Sequence, residues 1–248
     1  MSGAPHPEWI IPDWPAPGRV RALITTRAGG VSIGRYAHLN LGARVGDDPE
    51  YVARNRAILR ACLPAEPAWM RQVHGTAVAE AATRSSREPE GDGAVTRAAG
   101  VVCAVLTADC LPVLLCDRAG KTVAIAHAGW RGLATGIIEG VVRAMRIAPE
   151  TLMAYLGPGI GPHAYEVVEE VRNAFVSARS DEAAAFAPRR NGKFLADLYT
   201  LARQRLAAAG VAEIHGGGFC TLGEKRFFSF RRDRITGRMA SLIWLEEA

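Results

Sequence analysis

Short apolar runs bounded by turn residues recur along the chain and predict buried strands. The clearest runs cover residues 20–25, 101–107 and 153–156. Two further stretches, 68–73 and 77–79, predict extended structure on either side of a turn at His74-Gly75. Towards the end of the chain, residues 226–230 and 238–245 predict a final hairpin.

Helical signals are fewer. Asp48 followed by Pro49 and Glu50 is typical of a helix start, and the helix is expected to continue to about Arg60. Residues 166–179 and 197–209 show helical periodicity. Residues 130–146 also predict a helix, although three glycines at every fourth position weaken that prediction.

The alternation of strands and helices, with no linker or repeat, predicts a single α/β (α+β) domain over residues 1–248. We expect mixed β-sheets flanked by helices. Residues 1–18 are rich in proline and aromatics and predict an irregular lead-in. The polar stretch 83–93 predicts an exposed loop.

Two apolar runs joined by the turn Arg118-Ala119-Gly120-Lys121 predict a hairpin that carries chemistry. If Asp117 pairs with Thr122, Pro112 pairs with His127 and Cys110 lies opposite Gly129. Side chains two positions apart share a face, so Cys110 and His127 are expected as diagonal neighbours at the open end of the hairpin.

His74, Cys110 and His127 each lie at the end of a predicted strand. Two imidazoles and one thiolate make a three-ligand zinc set that leaves a fourth position for water. Copper is a second option for the same ligands. A cysteine that packs as a small apolar side chain, and histidines with purely structural hydrogen bonds, would give the same pattern.

The same residues also fit a Cys110 nucleophile with His127 as its base. Asp109 and Asp92 are the candidate acids, and both are candidate catalytic residues. Asp109 would face away from Cys110 in a regular strand but could turn inward at a bend. Asp92 stands between two glycines, which favours a tight turn, and a role as an acid and a position in a solvated loop are equally expected for it.

Several residues are candidates for contacts with a substrate. Arg27, Arg71 and Arg131 would suit a phosphate or carboxylate, although each fits a surface ion pair equally well. Tyr165 and Phe230 could stack on a ring, but core packing is the default expectation for both.

Composition narrows the class of protein. The net charge is +5, but there is no long basic run and no basic–aromatic interleaving, so nucleic-acid binding is not expected. The five cysteines are odd in number and widely spaced, which does not indicate a disulfide scaffold. Neither a signal peptide nor an apolar run of membrane length is recognisable. A reduced, cytoplasmic protein is expected.

Seven strings are spread over nearly the whole chain: TRAGGVS (26–32), NLG (40–42), RQVHG (71–75), TADCLP (107–112), HAGWRG (127–132), LGPGIGP (156–162) and FSFRR (228–232). Taken in this order, they resemble the laccase-domain (YfiH-like, "polyphenol oxidase") family. One departure is His163-Ala164, where the family often has a cysteine pair.

The resemblance implies a metal site on His74, Cys110 and His127, usually holding zinc. It implies phosphorolysis of adenosine, inosine, guanosine and methylthioadenosine, with deamination of adenosine, so that a purine nucleoside and phosphate are the expected partners. It also leaves open an amidase that edits peptidoglycan precursors and a copper-dependent, laccase-like polyphenol oxidase. The six histidines of the chain make the oxidase the weaker alternative. A metal-binding module without catalysis is a further alternative.

Overall fold

The computed structural model describes residues 3–82 and 88–247 and contains three β-sheets. The strands are β1 (Val20–Ile24), β2 (Val78–Glu80), β3 (Gly93–Thr96), β4 (Cys103–Thr107), β5 (Leu111–Asp117), β6 (Val123–Ala128), β7 (Leu152–Leu156), β8 (Glu166–Val168), β9 (Phe186–Pro188), β10 (Lys193–Ala196), β11 (Glu213–Gly216) and β12 (Met239–Leu245).

The helices lie between these strands. They are α1 (Pro49–Arg60), α2 (Trp130–Thr135), α3 (Ile137–Met145), α4 (Glu169–Val176), α5 (Leu198–Ala208) and the short α6 (Phe230–Asp233). Single turns of 3₁₀-helix occur at Gly34–Tyr36, Pro149–Thr151 and Arg190–Gly192, and a longer 3₁₀ segment at Ser180–Ala185.

The largest sheet has six strands in the order β11-β7-β5-β6-β3-β2. Its outer pairs, β11 with β7 and β2 with β3, are parallel, and its inner pairs are antiparallel. A second sheet, β1-β12-β4, is antiparallel, and so is a third, β8-β10-β9. The predicted fold class, α/β with mixed sheets flanked by helices, is confirmed.

The core forms layers because both faces of the central strands are buried. Along β5, the alternating residues Val113 and Leu115 join an apolar cluster shared with helices α3 and α5. Their neighbours Leu114 and Cys116 point to the other face and pack against the β1-β12-β4 sheet. This two-sided burial explains why the β5 sequence is almost continuously apolar.

The predicted hairpin register is confirmed. Strands β5 and β6 pair with Pro112 opposite His127 and Leu111 opposite Ala128. At the turn, the carboxylate of Asp117 accepts hydrogen bonds from the amides of Lys121 and Thr122, which closes the tight connection. The open end of the hairpin therefore brings residues 110 and 127 close together.

Helix α1 begins and ends where the sequence indicates, with the Asp48 side chain capping the amide of Glu50. The predicted helix over 130–146 is instead two helices. Gly136 has a φ of 104°, a left-handed conformation that ends α2 before α3 begins.

Two other predictions are wrong. Residues 166–168, expected as the first turn of a helix, form β8 because they pair with β10. The expected C-terminal hairpin is absent from the described part of the chain: β12 pairs with β1 and β4 from distant segments, and residues 230–233 form α6. Tertiary pairing overrides the local pattern in both places.

The predicted exposed loop 83–93 is only partly observed, because residues 83–87 lie outside the described residues. Its last part is not exposed: Asp92 is fully buried and Gly93 begins β3. Among the described residues, no helix combines the length and apolar character needed to cross a membrane.

Candidate metal and substrate site

Three side chains converge at the open end of the β5–β6 hairpin. One potential ligand atom each from His74, Cys110 and His127 lies within 4.8 Å of the others. The Cys110 Sγ and His74 Nε2 are 3.8 Å apart, and the two imidazole rings meet edge to face at 4.9 Å between centroids. His127 is 3% exposed, whereas His74 is open to the surface.

Asp92 organises two of these three residues from a buried position. Its Oδ1 lies 2.7 Å from His127 Nδ1 and accepts the amide hydrogen of His74 at 3.0 Å. Its Oδ2 accepts the amides of Val73 and Gly75 at 3.1 and 2.7 Å. The carboxylate thus positions the loop that carries His74 and orients the His127 ring so that Nε2 is free to bind a ligand.

The backbone at the site adopts conformations that non-glycine residues seldom take. His74 has a φ of 61° and Asp109, next to Cys110, a φ of 91°. Hydrogen bonds stabilise both conformations. The Asp92 carboxylate accepts the amide of His74. The Asp109 carboxylate accepts the Thr221 hydroxyl and the Arg231 amide, each at 2.6 Å. Such strain is typical of functional sites.

Cys110 and His127 shift each other's pKa. Burial alone would raise the pKa of the Cys110 thiol, but the charge and hydrogen bonds of His127, with a contribution from His74, lower it to about 6. Burial opposes protonation of His127, yet the Cys110 thiolate and Asp92 raise the pKa of His127 to about 9. Both shifts favour the thiolate form of Cys110 and the protonated form of His127.

Burial also opposes ionisation of Asp92. Hydrogen bonds from His127 and from the amides of Gly75 and Val73 outweigh this effect, so its pKa is lowered and the carboxylate stays charged.

The three residues fit a metal ion. Tetrahedral zinc with its usual bond lengths separates a sulfur and a nitrogen ligand by about 3.6 Å, close to the spacing of Cys110 and His74. Gly129 makes this approach feasible, because a Cβ at that position would lie only 3.0 Å from Cys110 Sγ and His74 Cδ2. The His74–Cys110–His127 group could therefore bind a metal.

The group lies in the wall of a cavity of about 360 Å³, within the size range of small-molecule sites. Apolar side chains from several segments form part of the lining, and three arginines and one glutamate supply charge. The lining residues include Val45, Met70, Leu106, Phe230, Gln72, Arg44, Arg56, Arg238 and Glu88.

The four predicted substrate-binding residues lie outside the described lining of this cavity. Arg71 forms an ion pair with Glu90 on the surface. Arg27 donates from Nε to the Ala37 carbonyl at 2.7 Å and lies over the ring of Phe228.

Tyr165 is within electrostatic reach of Cys110 and of Arg131. The exposed Arg131 guanidinium lies 4.3 Å from the ring centroid of Trp130. Burial, together with the negative charge of Cys110, raises the pKa of Tyr165 to about 12, so its hydroxyl keeps its proton. The charge of Arg131 acts on the same hydroxyl in the opposite direction.

Of the lining residues that the sequence did not assign to a site, three are arginines and one is Phe230. Arg44, Arg56 and Arg238 belong to none of the sequence motifs. Arg44 follows the NLG string closely, and Arg238 directly precedes β12. Phe230 was expected to pack in the core, but it is 48% exposed and lines the cavity. Its position follows from helix α6, which replaces the predicted strand.

Comparison with known proteins extends these observations. Residues 21–246 match the family described as multi-copper polyphenol oxidoreductase laccase. A Pseudomonas aeruginosa protein named purine nucleoside phosphorylase PA4543 is 52% identical over 241 residues, covering 96% of this chain and 99% of the relative. The Escherichia coli purine nucleoside phosphorylase YfiH is 51% identical over 239 residues, covering 95% and 98%.

Solved structures show the same fold. The Neisseria meningitidis protein NMB0706 superposes with a TM-score of 0.95 at 52% identity, covering 96% of this chain and 99% of that one. YlmD from Geobacillus stearothermophilus gives 0.87 at 34% identity, covering 93% of each chain. With half its residues shared across almost its full length, the chain belongs to the multi-copper polyphenol oxidoreductase laccase family.

Proposed function

We propose that this protein is a zinc-dependent purine nucleoside phosphorylase that also deaminates adenosine. The observation that carries the proposal is the His74–Cys110–His127 group, set in the wall of a cavity with an apolar part and a cationic part. Relatives at about half identity are named purine nucleoside phosphorylases, which supports the same class of activity here. Adenosine, inosine, guanosine and methylthioadenosine are the proposed substrates.

The cavity lining suits both halves of the phosphorolysis reaction. A phosphate oxygen forms a bond to C1′ of the ribose, the bond between C1′ and N9 breaks, and the purine takes the electron pair and a proton. Met70, Leu106 and Phe230 offer apolar surface for a purine ring. The arginines of the lining offer positive charge for phosphate.

The proposed ligands are His74, Cys110 and His127, and zinc bound there would supply a Lewis acid beside the substrate. Zinc is favoured over copper because two imidazoles, one thiolate and an open position match its usual catalytic coordination. Asp92 would keep the Nδ1 of His127 protonated and hydrogen-bonded, so that Nε2 faces the ion. Asp109 would hold Cys110 in place through its bonds to Thr221 and Arg231.

Deamination replaces the 6-amino group of adenosine by an oxygen from water and releases ammonia. It needs no phosphate, so the two reactions can be measured separately on one preparation. Arg131 and the protonated hydroxyl of Tyr165 are proposed as further substrate contacts, because Cys110 and Arg131 both act electrostatically on that hydroxyl.

The test is product analysis. Zinc-loaded protein incubated with adenosine and phosphate should yield adenine, ribose 1-phosphate and inosine. Cys110→Ala, which removes one ligand, should abolish all three products. Absence of product above this variant would overturn the proposal.

The same preparation distinguishes the alternatives. Oxidation of a phenol after copper loading would indicate a polyphenol oxidase, and release of an amino acid from a cell-wall precursor would indicate an amidase. A cytoplasmic location stays a prediction, which fractionation of the producing cells would test.

A further inference from the structure

Arg238, immediately before β12, is the one arginine of the cavity lining that forms no ion pair with a carboxylate among the described residues. We propose that Arg238 binds the phosphate substrate in this cavity. The inference rests on the proposed function, and it names a residue that neither the motifs nor the predicted arginines indicated.

The backbone of Arg238 is fixed by the NLG string. Its amide donates to Asn40 Oδ1 at 2.9 Å, and its carbonyl accepts the amide of Leu41 at 3.1 Å. Asn40 is fully buried, and its Oδ1 also accepts the amide of Gly42. A Cβ at Gly42 would lie 2.8 Å from Arg238 Cγ, so the glycine gives the arginine stem room. The side chain therefore starts from a rigid base.

The guanidinium of Arg238 is held by hydrogen bonds from one of its nitrogens, Nη1. Nη1 donates to the carbonyls of Thr236 and Gly237 at 2.9 and 3.0 Å. Nε and Nη2 have no hydrogen-bond partner among the described residues. These donors can form the parallel pair of bonds by which arginine binds a phosphate.

The other two arginines of the lining differ from Arg238 because each lies close to a carboxylate. Glu88 lies 2.6 Å from Arg44 and 3.8 Å from Arg56, so their charges are already partly compensated. Residues 83–87 contain no acidic side chain that could pair with Arg238. Burial lowers the pKa of Arg238, whereas Cys110 and Asp109 raise it, so a desolvated cation lies within electrostatic reach of the ligand group. An unbalanced cation of this kind favours an anionic ligand.

Arg238→Met tests the inference, because methionine keeps much of the bulk and removes every donor. We expect the KM for phosphate in inosine phosphorolysis to rise about 10- to 100-fold, the loss typical of a charge-assisted hydrogen bond. The ratio of phosphorolysis to adenosine deamination should fall by a similar factor. Arg238→Lys, which keeps the positive charge but lacks the planar pair of donors, should give a smaller rise in KM for phosphate.

Arg97→Met is the matched control. Arg97 also donates to two carbonyls, those of Ala144 and Met145, but it does not line the cavity. Arg97 also pairs with Glu80, so this variant loses at least as many structural contacts and should keep the wild-type KM for phosphate. An equal rise in both variants, or no rise in Arg238→Met, would overturn the inference.

Direct binding separates this inference from the proposed function. Inorganic phosphate without nucleoside should raise the melting temperature of zinc-loaded wild type and of Arg97→Met, but not of Arg238→Met. If this pattern appears while no nucleoside is turned over, Arg238 is an anion site and the proposed function is wrong. If wild type shows no phosphate effect, the inference fails even where nucleosides are converted. Should Arg238→Met not fold, the same comparison with Arg238→Lys decides, with a reduced shift as the supporting result.

Discussion

The Oδ1 of Asp92 lies 2.7 Å from the Nδ1 of His127, and both side chains are shielded from solvent. The same carboxylate accepts the amides of three consecutive residues, 73 to 75. One buried side chain therefore sets both the ring orientation of one proposed ligand and the backbone of another. Asp92 is a positioning residue for the metal site.

Asp92→Asn should weaken zinc binding about 10- to 100-fold, as is usual when a partner of a metal-binding histidine is lost. The amide group would turn one oxygen acceptor into a donor, and at least one of the four hydrogen bonds would fail. Competition with a chromogenic chelator measures the affinity.

Asp117→Asn is the matched control for this change. Asp117 is also a buried carboxylate that accepts two backbone amides, but it lies at the turn end of the same hairpin. Its zinc affinity should equal that of wild type. Equal losses in the two variants would mean that Asp92 acts only through general stability.

The metal-free protein should show a reactive thiol at Cys110. Since its pKa is lowered to about 6, alkylation by iodoacetamide should increase as pH rises through 6 and level off above neutral pH. Cys103 and Cys116 are fully buried with raised pKa values and should not react under these conditions. Mass mapping of the modified peptides from acidic to alkaline pH provides the profile.

Zinc should protect Cys110 from this alkylation, because the thiolate would be bound. Cys110→Ser identifies any background reaction at the two partly exposed cysteines, Cys62 and Cys220. A midpoint near about 8.5, the value of a free thiol, would show that His127 does not stabilise the thiolate.

Gly129→Ala should damage the metal site with little effect elsewhere. The added methyl group would lie 3.0 Å from both Cys110 Sγ and His74 Cδ2, forcing the two side chains apart. We expect reduced zinc content by elemental analysis. Gly18→Ala is the control, because a Cβ at Gly18 meets nothing within 4 Å. Wild-type zinc content in Gly129→Ala would contradict the proposed coordination.

The hairpin could be predicted from the sequence because its register depends on a short turn and a period-2 pattern, both local. The position of His74 depends on Asp92, which is 18 residues away and buried. The sequence indicated Asp92 as an acid, but no pattern showed that its carboxylate would enclose the His74 loop.

The site arginines could not be predicted for a similar reason. Arg238 meets Asn40 across 198 residues of chain, through the pairing of β12 with β1. A local pattern predicts a strand at 238–245 but not its partners. Arg71 and Arg27 adjoin motifs in the sequence, and neither is among the described residues that line the cavity.

Gly136 shows how local geometry limits a helix prediction. With a φ of 104° it separates α2 from α3, and any residue with a side chain would be strained there. Gly136→Ala should lower the free energy of unfolding by about 1–2 kcal/mol. Urea unfolding beside Gly18→Ala measures the difference, and an unchanged or increased stability would mean that one continuous helix is tolerated.

Gly42→Ala should reproduce part of the Arg238→Met effect without removing a donor. The new methyl group would lie 2.8 Å from Arg238 Cγ and 3.3 Å from Val45 Cγ1, so the arginine stem has to move away from its present path. We expect a higher KM for phosphate with normal zinc content, the opposite pattern to Gly129→Ala. Phosphate titration of inosine phosphorolysis and elemental analysis of the two variants make the comparison. If both glycine variants lost zinc equally, the phosphate and metal positions would not be separable parts of the cavity.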